Sequence, residues 1–592
     1  MCGLAGIYSK NKNIAQEDSA VKKMLNVALH RGPNNQGVFS LGNCQIGLNR
    51  LSIIDLKTGN QPIFSKDGNL VLVCNGEIYN YKDLKKILEK DGYIFQTNSD
   101  VEVIIYIYEK FGIDGFSRLD GMFAFALFDK KNNKLILARD RFGIKPLYFS
   151  QRGDDIFFAS EIKSINSVYN RGKINHEVFY QFLTWGYSLD GNSIWEHINT
   201  LKPGFVLEIN NNEIRHSSFL DNISSKCESI SQENAMSKLK QAIIEDIEKQ
   251  LMSDVPLGVF LSGGIDSSII AGVIKKYLDM NISTFSIDFE NSDFSELNKI
   301  EKVSKVFNTT HTTYRVGHDL LDIVDKVIAS CDEPFGDPSA LPMYILCENS
   351  SKDITVALSG DGADEFMFGY NHNNYSKNII NLDFIIKMLK KFVPISHPKL
   401  YSLISRISEK NVIPFNLYSE IKDSILKKSI SNNILKINSI QEFDKHIYLP
   451  NDILYKTDRM SMAHSLECRV PFLGNKTAKI SSMIPKNMQF VNGQGKYILR
   501  TTFKDLLPKS IKNQAKHGFT TPVGDWIKKK YSLNEFINLI SSSFFSDILN
   551  QDFTSRLINE HYSNTFDHGR FVYRLFVADR WGKNYNMDKI YV

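Results

Sequence analysis

The chain has 592 residues, of which 42% are hydrophobic and 23% charged, and its net charge is +5. This length exceeds what one hydrophobic core supports and predicts two to four domains. Because lysine and arginine are interleaved with aspartate and glutamate, so small a net charge argues against a nucleic-acid partner.

The hydropathy pattern narrows the class of protein further. No segment approaches the ~18 to 20 apolar residues that span a bilayer, and the N-terminus lacks a charged-then-apolar leader. We therefore predict a cytoplasmic protein without a membrane partner.

The seven cysteines, at positions 2, 44, 74, 227, 331, 347 and 468, include no Cys-x-x-Cys pair. Such an odd, scattered set is typical of reduced thiols rather than disulfides or a zinc site.

Cys2 directly follows the initiator methionine and precedes a short run of small and apolar residues that predicts a strand. If Met1 is removed, Cys2 carries both a thiol and a free amine. The amine titrates near ~8 and the thiol near ~8.5, so the amine can accept the thiol proton at neutral pH. One residue would then supply both nucleophile and base. Taken alone, Cys2 is better interpreted as a small buried hydrophobe or a chance occurrence.

Several later polar residues favour the catalytic interpretation. Arg50 carries a fork suited to a substrate carboxylate. The side-chain amide of Asn75 and the backbone N–H of Gly76 provide two donors that can converge on an oxyanion. Glu77 and Asp100 can accept hydrogen bonds from a substrate ammonium. Each acid has an alternative role as an exposed charge or a helix cap, and an N-cap is nearly as good an interpretation for Asp100.

Seven segments of the first half together resemble the N-terminal-nucleophile glutaminase domain of class II glutamine amidotransferases. They are Met1-Cys2-Gly3, His30-Arg31-Gly32-Pro33, Arg50-Leu51-Ser52-Ile53, Asn75-Gly76-Glu77-Ile78-Tyr79-Asn80, Leu119 to Ala126, and Arg139 to Tyr148, followed by Phe158 to Lys163. The resemblance implies an αββα sandwich in which Cys2 attacks the glutamine amide. It also implies that Asn75 and the Gly76 N–H form the oxyanion hole, while Arg50, Glu77 and Asp100 anchor the amino-acid end of the substrate.

A polar stretch rich in asparagine and serine separates this part from the rest. From residue 207 to about 234 no apolar period is sustained, so we predict a first domain at 1–210, a linker at 211–232 and a second domain at 233–592. Apolar residues then recur at three- and four-residue spacing from Met236 to Leu251, which predicts an amphipathic helix.

A strand, a glycine turn and a helix follow, from Leu257 to Ile274. Gly263 and Gly264 let the backbone approach an anion, and Ser267 or Ser268 is expected to cap the helix. The loop lacks the Gly-Lys-Ser/Thr ending that grips β and γ phosphates. The sequence from Ser262 to Ser268 resembles the pyrophosphate loop of enzymes that adenylate a substrate. The alternative is a purely structural corner, but the surrounding serines and Asp266 favour a nucleotide.

Further strands and helices alternate after this loop, which predicts a doubly wound parallel sheet with ligands at the carboxyl edge of its strands. Ser286 and Ile287 are expected to reach that edge. The segment from Val356 to Glu365 repeats the design of strand, glycine turn and acids. Carboxylates so close together repel one another unless a cation lies among them, which suggests Mg²⁺ bridging phosphates. The alternative is a solvated acidic turn.

The second half resembles the synthetase domain of glutamine-hydrolysing asparagine synthetase. The segments are Ser262 to Ser268, Asp332-Glu333-Pro334-Phe335, Asp337-Pro338-Ser339, Ser359 to Glu365, Tyr448 to Asp452, Asp458-Arg459, Ser461 to Glu467, Arg469 to Leu473, Gly495-Lys496-Tyr497 and Lys516 to Phe519. By this resemblance ATP is bound by Leu261, Ser262, Gly263, Gly264, Asp266, Ser267, Ile287, Ser359 and Gly360. Asp266 and Asp364 would hold Mg²⁺ and pyrophosphate. Asp361 would serve the acyl-adenylate, and Lys496 would neutralise phosphate charge.

These resemblances imply glutamine-dependent synthesis of asparagine from aspartate and ATP, with ammonia passing inside the protein, and a possible homodimer. One alternative is the same machinery amidating another carboxylate, such as a uronic acid of a surface polysaccharide or a peptide side chain. A plain glutaminase and an adenylating cyclase are the others, and the intact set of residues at both sites argues against them. Residues 371–445 carry no chemical motif and are expected to form helices. The aromatic stripe from Phe571 to Trp581 is interpreted as core or interface.

Overall fold

A computed structural model defines the fold of the protein. It describes residues 2–14, 19–169, 172–189, 192–211, 213–220, 230–289, 295–317, 320–370, 440–512 and 521–587. Met1 and most of the helices expected between residues 371 and 445 therefore lie outside the described residues.

The first half is built on two stacked antiparallel sheets. Its strands are β1 (Gly3–Ser9), β2 (Asn35–Leu41), β3 (Cys44–Arg50), β4 (Ile63–Phe64), β5 (Leu70–Ile78), β6 (Gly121–Asp129), β7 (Lys134–Arg139), β8 (Tyr148–Arg152), β9 (Asp155–Ala159), β10 (Asn199–Thr200), β11 (Phe205–Ile209) and β12 (Ile214–Ser218). One sheet has the order β10-β8-β9-β1-β3-β2, and the other has the order β12-β11-β7-β6-β5-β4.

Apolar side chains fill the space between these sheets. Every position of β1 is buried, and Leu4 and Ile46 of the first sheet share a core with Val73 and Leu137 of the second. Helices cover the two outer faces: Ser19–Val27, Ile162–Val168 and His176–Trp185 on one, and Tyr81–Lys90 and Val103–Phe111 on the other. Strands covered on both faces read as near-continuous apolar runs, as β5 and β6 do. The predicted αββα sandwich is confirmed.

The second half is organised around a parallel sheet. Its strands are β13 (Leu257–Phe260), β14 (Ser283–Phe289), β15 (Thr310–Val316), β16 (Val356–Leu358) and β17 (Glu467–Arg469). They are arranged as β15-β14-β13-β16-β17, and every neighbouring pair is parallel. The chain runs outward from β13 in both directions, so a crevice opens at the carboxyl edge between β13 and β16. The predicted doubly wound sheet is confirmed.

Helices pack on this sheet, and the last one described ends at Asn584. They are Gln232–Gln250, Ile265–Lys276, Leu297–Phe307, Val324–Cys331, Ala340–Ser350, Ala363–Phe366, Ile440–Phe443, the π-helical Asp444–Ile453, Leu454–Met462, Asn475–Met483, Lys486–Gln489, Tyr497–Thr502, Lys509–Lys512, Val523–Lys530, Leu533–Ser541, Gln551–Tyr562 and Gly569–Asn584. Leu239, Ile243 and Ile247 are buried, as the amphipathic pattern predicts. Phe571 and Trp581 lie in the core, which confirms the interpretation of the aromatic stripe.

Within the described residues of the predicted linker, the chain forms a strand and reaches the start of the helix Gln232–Gln250. β12 falls after residue 210 and pairs with β11, so the second sheet continues into the 211–232 segment. Residues 221–229 lie outside the described part of the chain. Among the helices that the structure describes, none combines the length and the hydropathy needed to cross a membrane.

Candidate functional site

Cys2 immediately precedes β1 and lies in the core between the two sheets of the first half. It is 5% exposed, and burial raises the pKa of its thiol. The Cys2 nitrogen donates to Oδ1 of Asn75 at 2.9 Å, and Arg31 Nε donates to the Cys2 carbonyl at 3.2 Å. The nitrogen that would become the terminal amine after removal of Met1 is therefore held by Asn75.

Asn75 and Gly76 occupy the carboxyl half of β5. Nδ2 of Asn75 is buried and has no hydrogen-bond partner among the described residues. A buried donor left unpaired costs free energy, so this amide is suited to a ligand oxygen. A Cβ atom at Gly76 would lie 2.2 Å from the Met122 carbonyl oxygen, because β6 passes too close for any side chain. The structure thus brings together an unsatisfied donor, a glycine and the Cys2 thiol.

Arg50 is the last residue of β3 and is buried. Its Nη1 donates to Oδ1 of Asn60 at 2.9 Å, and its Nη2 donates to the carbonyls of Ile54 and Asp55 at 3.0 and 2.8 Å. Gly59 packs against the guanidinium, since a Cβ there would lie 2.6 Å from Nη2. The loop after β3 therefore fixes the plane of the guanidinium that was predicted to bind a carboxylate.

Glu77 and Asp100 are buried acids near the end of β5. Asp100 Oδ2 accepts from the Ile78 N–H at 2.6 Å, whereas Ser99 occupies the N-cap position of the turn Asp100–Glu102, so the alternative of an Asp100 cap is wrong. Burial raises the pKa of Glu77 well above its usual value, and the charge of Asp100 adds to that effect. Burial also raises the pKa of Asp100 to about 6. A bound ammonium would relieve the repulsion between them.

Two residues of the second half complete this group, and the sequence assigned them no role. Glu467 and Arg469 belong to β17, yet Arg469 Nη2 lies 3.6 Å from Oε2 of Glu77. Arg469 Nε donates to Glu467 at 2.6 Å. Burial opposes ionisation of Glu467, but the charges of Arg469 and Lys145 help to lower its pKa to about 2. Both lie in sequence segments that resemble the synthetase domain. Their position in the chain therefore pointed to the nucleotide site and not to the site around Cys2.

We call the group formed by Cys2, Arg50, Asn75, Gly76, Glu77 and Asp100 the Cys2 pocket. All six predicted residues are buried or nearly so in one region of the first half. The second region of interest lies at the carboxyl edge of the parallel sheet.

The loop from Leu261 to Gly264 joins β13 to the helix Ile265–Lys276. Gly263 has φ of +70°, a conformation that favours glycine. The helix begins after Gly264 without a side-chain cap, so the prediction that Ser267 or Ser268 caps it is wrong. Both serines lie in its first turn, where Ser268 Oγ donates to the Gly264 carbonyl at 2.6 Å and Ser267 Oγ accepts from the Ser262 N–H at 3.2 Å. Uncapped N–H groups at a helix start suit a phosphate.

The second glycine loop follows β16 and packs against the first. A Cβ atom at Gly360 would lie 2.8 Å from Cβ of Asp266, so the two loops touch at this glycine. Asp361 Oδ2 accepts from Ser359 Oγ at 2.9 Å and from Thr457 Oγ1 at 2.8 Å. The carboxylate of Asp361 is thereby held between the loop and the helix Leu454–Met462.

Lys496 joins the two loops electrostatically. Its buried Nζ lies 2.6 Å from Oδ2 of Asp266 and 2.7 Å from Oδ1 of Asp364. Lys496 itself has φ of +55°, a strained value for a residue with a side chain, which is common at functional sites. The two aspartates predicted to bind a metal therefore converge on one cationic group.

These aspartates fit a magnesium ion that is completed by phosphate oxygens. Among the described residues, no cluster of three or more His, Cys, Asp or Glu side chains could hold a metal. Mg²⁺ in nucleotide sites is bound through one or two carboxylates plus substrate phosphates, so an all-protein cage is not required. Two carboxylates whose oxygens converge on the Lys496 ammonium match that donor set.

The two glycine loops border a cavity of about 370 Å³, which we call the nucleotide cleft. Of the nine predicted ATP-binding residues, all but Gly263 line it, and Asp361, Asp364 and Lys496 line it too. Apolar lining residues such as Phe285, Ile300 and Met343 suit a purine base. The cleft also contains polar residues that the sequence analysis did not single out as site residues: Tyr370, Tyr448, Lys456 and Arg570. Lys456 donates to Asp337 at 2.7 Å and to Ser339 Oγ at 2.8 Å.

A buried ion-pair network joins the Cys2 pocket to the helix Leu454–Met462. Arg31 donates to both carboxylate oxygens of Asp458, each at 2.8 Å, and to Glu161 at 2.9 Å. Arg459 Nη1 lies 2.9 Å from Glu161 and 3.3 Å from Asp332. Burial opposes ionisation of Glu161, but the charges of Lys163, His30 and Arg459 lower its pKa well below the usual value. Charges buried this fully persist only when they are paired.

The fold and these two regions define a class: an N-terminal-nucleophile amidotransferase domain joined to a pyrophosphate-loop nucleotide domain. A family model described as "Glutamine amidotransferase domain" matches residues 1–220, and one described as "Asparagine synthase" matches residues 238–583. The chain belongs to the asparagine synthase family and is an ATP-dependent, glutamine-hydrolysing ligase.

Relatives extend over nearly the full length. Asparagine synthetase [glutamine-hydrolyzing] 1 of Bacillus subtilis (strain 168) is 32% identical, and the match covers 100% of this chain and 98% of that protein. Asparagine synthetase [glutamine-hydrolyzing] 2 of the same organism is 30% identical over 88% of this chain and 72% of its own length. Amidase chry2 of Gibberella zeae is 25% identical over 89% of this chain and 90% of its own length.

Proposed function

We propose that the protein makes asparagine from aspartate, glutamine and ATP. Water hydrolyses glutamine to glutamate and ammonia in the Cys2 pocket. In the nucleotide cleft, a carboxylate oxygen of aspartate attacks the α-phosphate of ATP, releasing pyrophosphate and forming β-aspartyl-AMP. Ammonia then attacks the acyl carbon, and AMP leaves as asparagine forms.

The roles that we assign in the Cys2 pocket are those implied by the family resemblance, and the contacts of the pocket support them. The Cys2 thiol attacks the amide carbon of glutamine, and its own amine accepts the thiol proton after Met1 is removed. Asn75 Nδ2 and the Gly76 N–H stabilise the oxyanion, for which the unpaired Asn75 donor is the supporting observation. Arg50 binds the α-carboxylate of glutamine, while Glu77 and Asp100 bind its α-ammonium.

The roles that we assign in the nucleotide cleft rest on the same resemblance. Leu261, Ser262, Gly263, Gly264, Ser267, Ile287, Ser359 and Gly360 bind ATP. Asp266 and Asp364 hold Mg²⁺, which when bound neutralises phosphate charge and orients the leaving pyrophosphate. Lys496 donates to the phosphate oxygens, and Asp361 acts beside the acyl-adenylate while Ser359 and Thr457 hold it in place.

One observation carries the proposal that the two sites work together. Arg469 contacts Glu77 of the Cys2 pocket through its side chain, while its carbonyl accepts from the Ser359 N–H of the nucleotide cleft at 2.8 Å. A single residue of β17 thus spans the wall between the sites. An internal route would keep ammonia from being protonated by bulk water, and protonated ammonia is no longer a nucleophile.

The acceptor carboxylate has two candidates. One relative that matches 89% of this chain is named an amidase. We therefore keep a second candidate, in which the same chemistry amidates another carboxylate such as a uronic acid. The deciding experiment measures AMP formation with aspartate against a panel of other carboxylic acids, using glutamine or ammonium as the nitrogen source. Absence of aspartate-dependent AMP would refute asparagine synthesis. Location in the cytoplasm and a homodimer stay predictions.

A further inference from the structure

The helix Leu454–Met462 belongs to the second half, yet consecutive residues of it contact both sites. Lys456 lines the nucleotide cleft, and Thr457 Oγ1 donates to Asp361 of that cleft at 2.8 Å. The next residue, Asp458, instead accepts from Arg31 of the first half. None of the steps proposed above uses Asp458.

Arg31 connects Asp458 to the nucleophile. Its side chain is fully buried, and its Nη1 and Nη2 each donate to a different carboxylate oxygen of Asp458 at 2.8 Å. A bidentate pair of this kind fixes the plane of the guanidinium. Nε of the same planar group donates to the Cys2 carbonyl at 3.2 Å. The position of the Cys2 backbone therefore depends on Asp458 through one rigid group.

The two sides of Cys2 are thus held by different halves of the chain. Its nitrogen donates to Asn75 of the first half, whereas its carbonyl is held by an arginine whose bidentate partner lies in the second half. A shift of the Cys2 backbone would move both the amine and the thiol relative to the Nδ2 donor of Asn75. Displacements of about 1 Å at a reacting group can cost about 10²-fold in rate.

A second polar group of the second half holds the same turn. Ser465 Oγ donates to the carbonyl of His30 at 2.6 Å, in the turn Leu29–Arg31. This turn packs on the start of β1, since a Cβ atom at Gly3 would lie 3.3 Å from Cβ of Arg31. Two side chains of the second half therefore press one turn against the strand that follows Cys2.

We propose that Asp458 is a positioning residue for glutamine hydrolysis: acting through Arg31, it holds the Cys2 nucleophile in its reactive orientation, and Ser465 adds a weaker contact. The inference rests on the proposed role of Cys2 and does not depend on the acceptor. It ties the release of ammonia to the docked second half, where ammonia is used.

Asp458→Asn in the full-length enzyme tests this role. Asparagine keeps the size of the side chain and one acceptor oxygen, but it cannot accept both guanidinium donors. We expect kcat for glutamine hydrolysis to fall about 10- to 100-fold while KM for glutamine stays within about twofold, because the residues proposed to bind glutamine are unchanged. AMP formation with ammonium as the nitrogen source should stay near the wild-type rate.

A double-mutant cycle tests whether Asp458 acts through Arg31. Arg31→Gln should lower kcat for glutamine hydrolysis at least as far as Asp458→Asn does. Adding Asp458→Asn to Arg31→Gln should then cost less than about twofold more, since both changes break the same connection. If the two losses multiply instead, Asp458 does not act through Arg31.

Two further variants make the test specific. Asp579 is also a buried aspartate with an ion-pair partner, Lys583, so Asp579→Asn is the matched control and should retain both activities. Ser465→Ala should lower kcat for glutamine hydrolysis about 2- to 10-fold. This arm decides the matter if Asp458→Asn does not fold, because an unchanged kcat in Ser465→Ala would then refute the inference.

Failure of this inference differs from failure of the proposed function. An unchanged kcat for glutamine hydrolysis in Asp458→Asn would overturn the inference, and so would an equal loss of ammonium-dependent AMP formation, which would assign Asp458 to overall stability. If Cys2→Ala still hydrolyses glutamine, the proposed role of Cys2 fails first, and the inference fails with it.

Discussion

The Cys2 pocket and the nucleotide cleft solve the problem of buried charge in opposite ways. In the nucleotide cleft, Asp266 and Asp364 share the ammonium of Lys496, so the acids are paired within the same half of the chain. In the Cys2 pocket, Glu77 and Asp100 have raised pKa values because burial outweighs the nearby positive charge. Arg469, whose Nη2 lies 3.6 Å from Oε2 of Glu77, belongs to the other half.

This difference indicates which site depends on the other. The cleft is assembled from loops that follow β13 and β16 of one sheet. The pocket is completed by Glu467 and Arg469, and Arg31 beside Cys2 is bound to Asp458 of the second half. We therefore expect changes in the cleft to leave glutamine hydrolysis intact, whereas changes in β17 or Arg31 should disturb it.

The largest expected effect separates the two sites outright. Cys2→Ala removes the nucleophile, so glutamine-dependent synthesis should fall by about 10⁴-fold or more, while synthesis from added ammonium stays near the wild-type rate. Coupled assays of AMP with either nitrogen source measure this. Cys44→Ala, in the same core, is the matched control and should retain both activities. Loss of both activities in Cys2→Ala would contradict two separable sites.

The complementary change lies in the cleft. Lys496→Ala removes the group that the two aspartates share and that is proposed to meet the phosphates, so AMP formation should fall about 10³-fold. Glutamine hydrolysis without ATP should continue. Lys479→Ala, an exposed lysine outside the cleft, should behave as wild type. An equal loss of both activities would mean that the cleft also supports the pocket.

A smaller effect is expected from removing the unpaired Nδ2 donor of Asn75 in the Cys2 pocket. Asn75→Ala should lower kcat for glutamine hydrolysis about 10²- to 10³-fold with little change in KM, since an oxyanion contact forms only in the transition state. Ammonium-dependent synthesis should be unaffected. A higher KM with unchanged kcat would instead assign Asn75 to ground-state binding of glutamine.

The features that could be predicted from the sequence are those carried by local patterns. Strand, glycine turn and helix follow one another around Gly263 and around Gly360, and the structure brings both loops to one edge as the parallel topology requires. Cys2, Asn75 and Asp100 also come together, although Cys2 and Asp100 are 98 positions apart. Cys2, immediately before β1 of the first sheet, bonds to Asn75 in β5 of the second sheet, and Asp100 bonds to Ile78 at the end of β5.

The features that could not be predicted depend on contacts between distant segments. Nothing near Arg469 indicates that its side chain reaches Glu77, because β17 lies at the edge of its sheet and the other half covers it. Arg570 follows an ordinary helix start and carries no motif. The helix caps considered for Ser267 and Asp100 are wrong for a local reason. A polar residue before an apolar helix predicts a cap, but Ser267 accepts from the Ser262 N–H and Asp100 accepts from the Ile78 N–H instead.

The smallest expected effect is a pH dependence that is confined to the pocket. Asp100, with a pKa of about 6, must be ionised to bind an ammonium, and Glu77, Glu467 and Arg469 surround it. As pH falls below about 6, Asp100 takes up a proton, so KM for glutamine should rise up to about tenfold per pH unit. Asp100→Asn should raise KM at neutral pH and flatten this profile. KM for ATP, which is bound in the cleft, should not follow the same curve, and a parallel rise in both constants would point to acid unfolding instead.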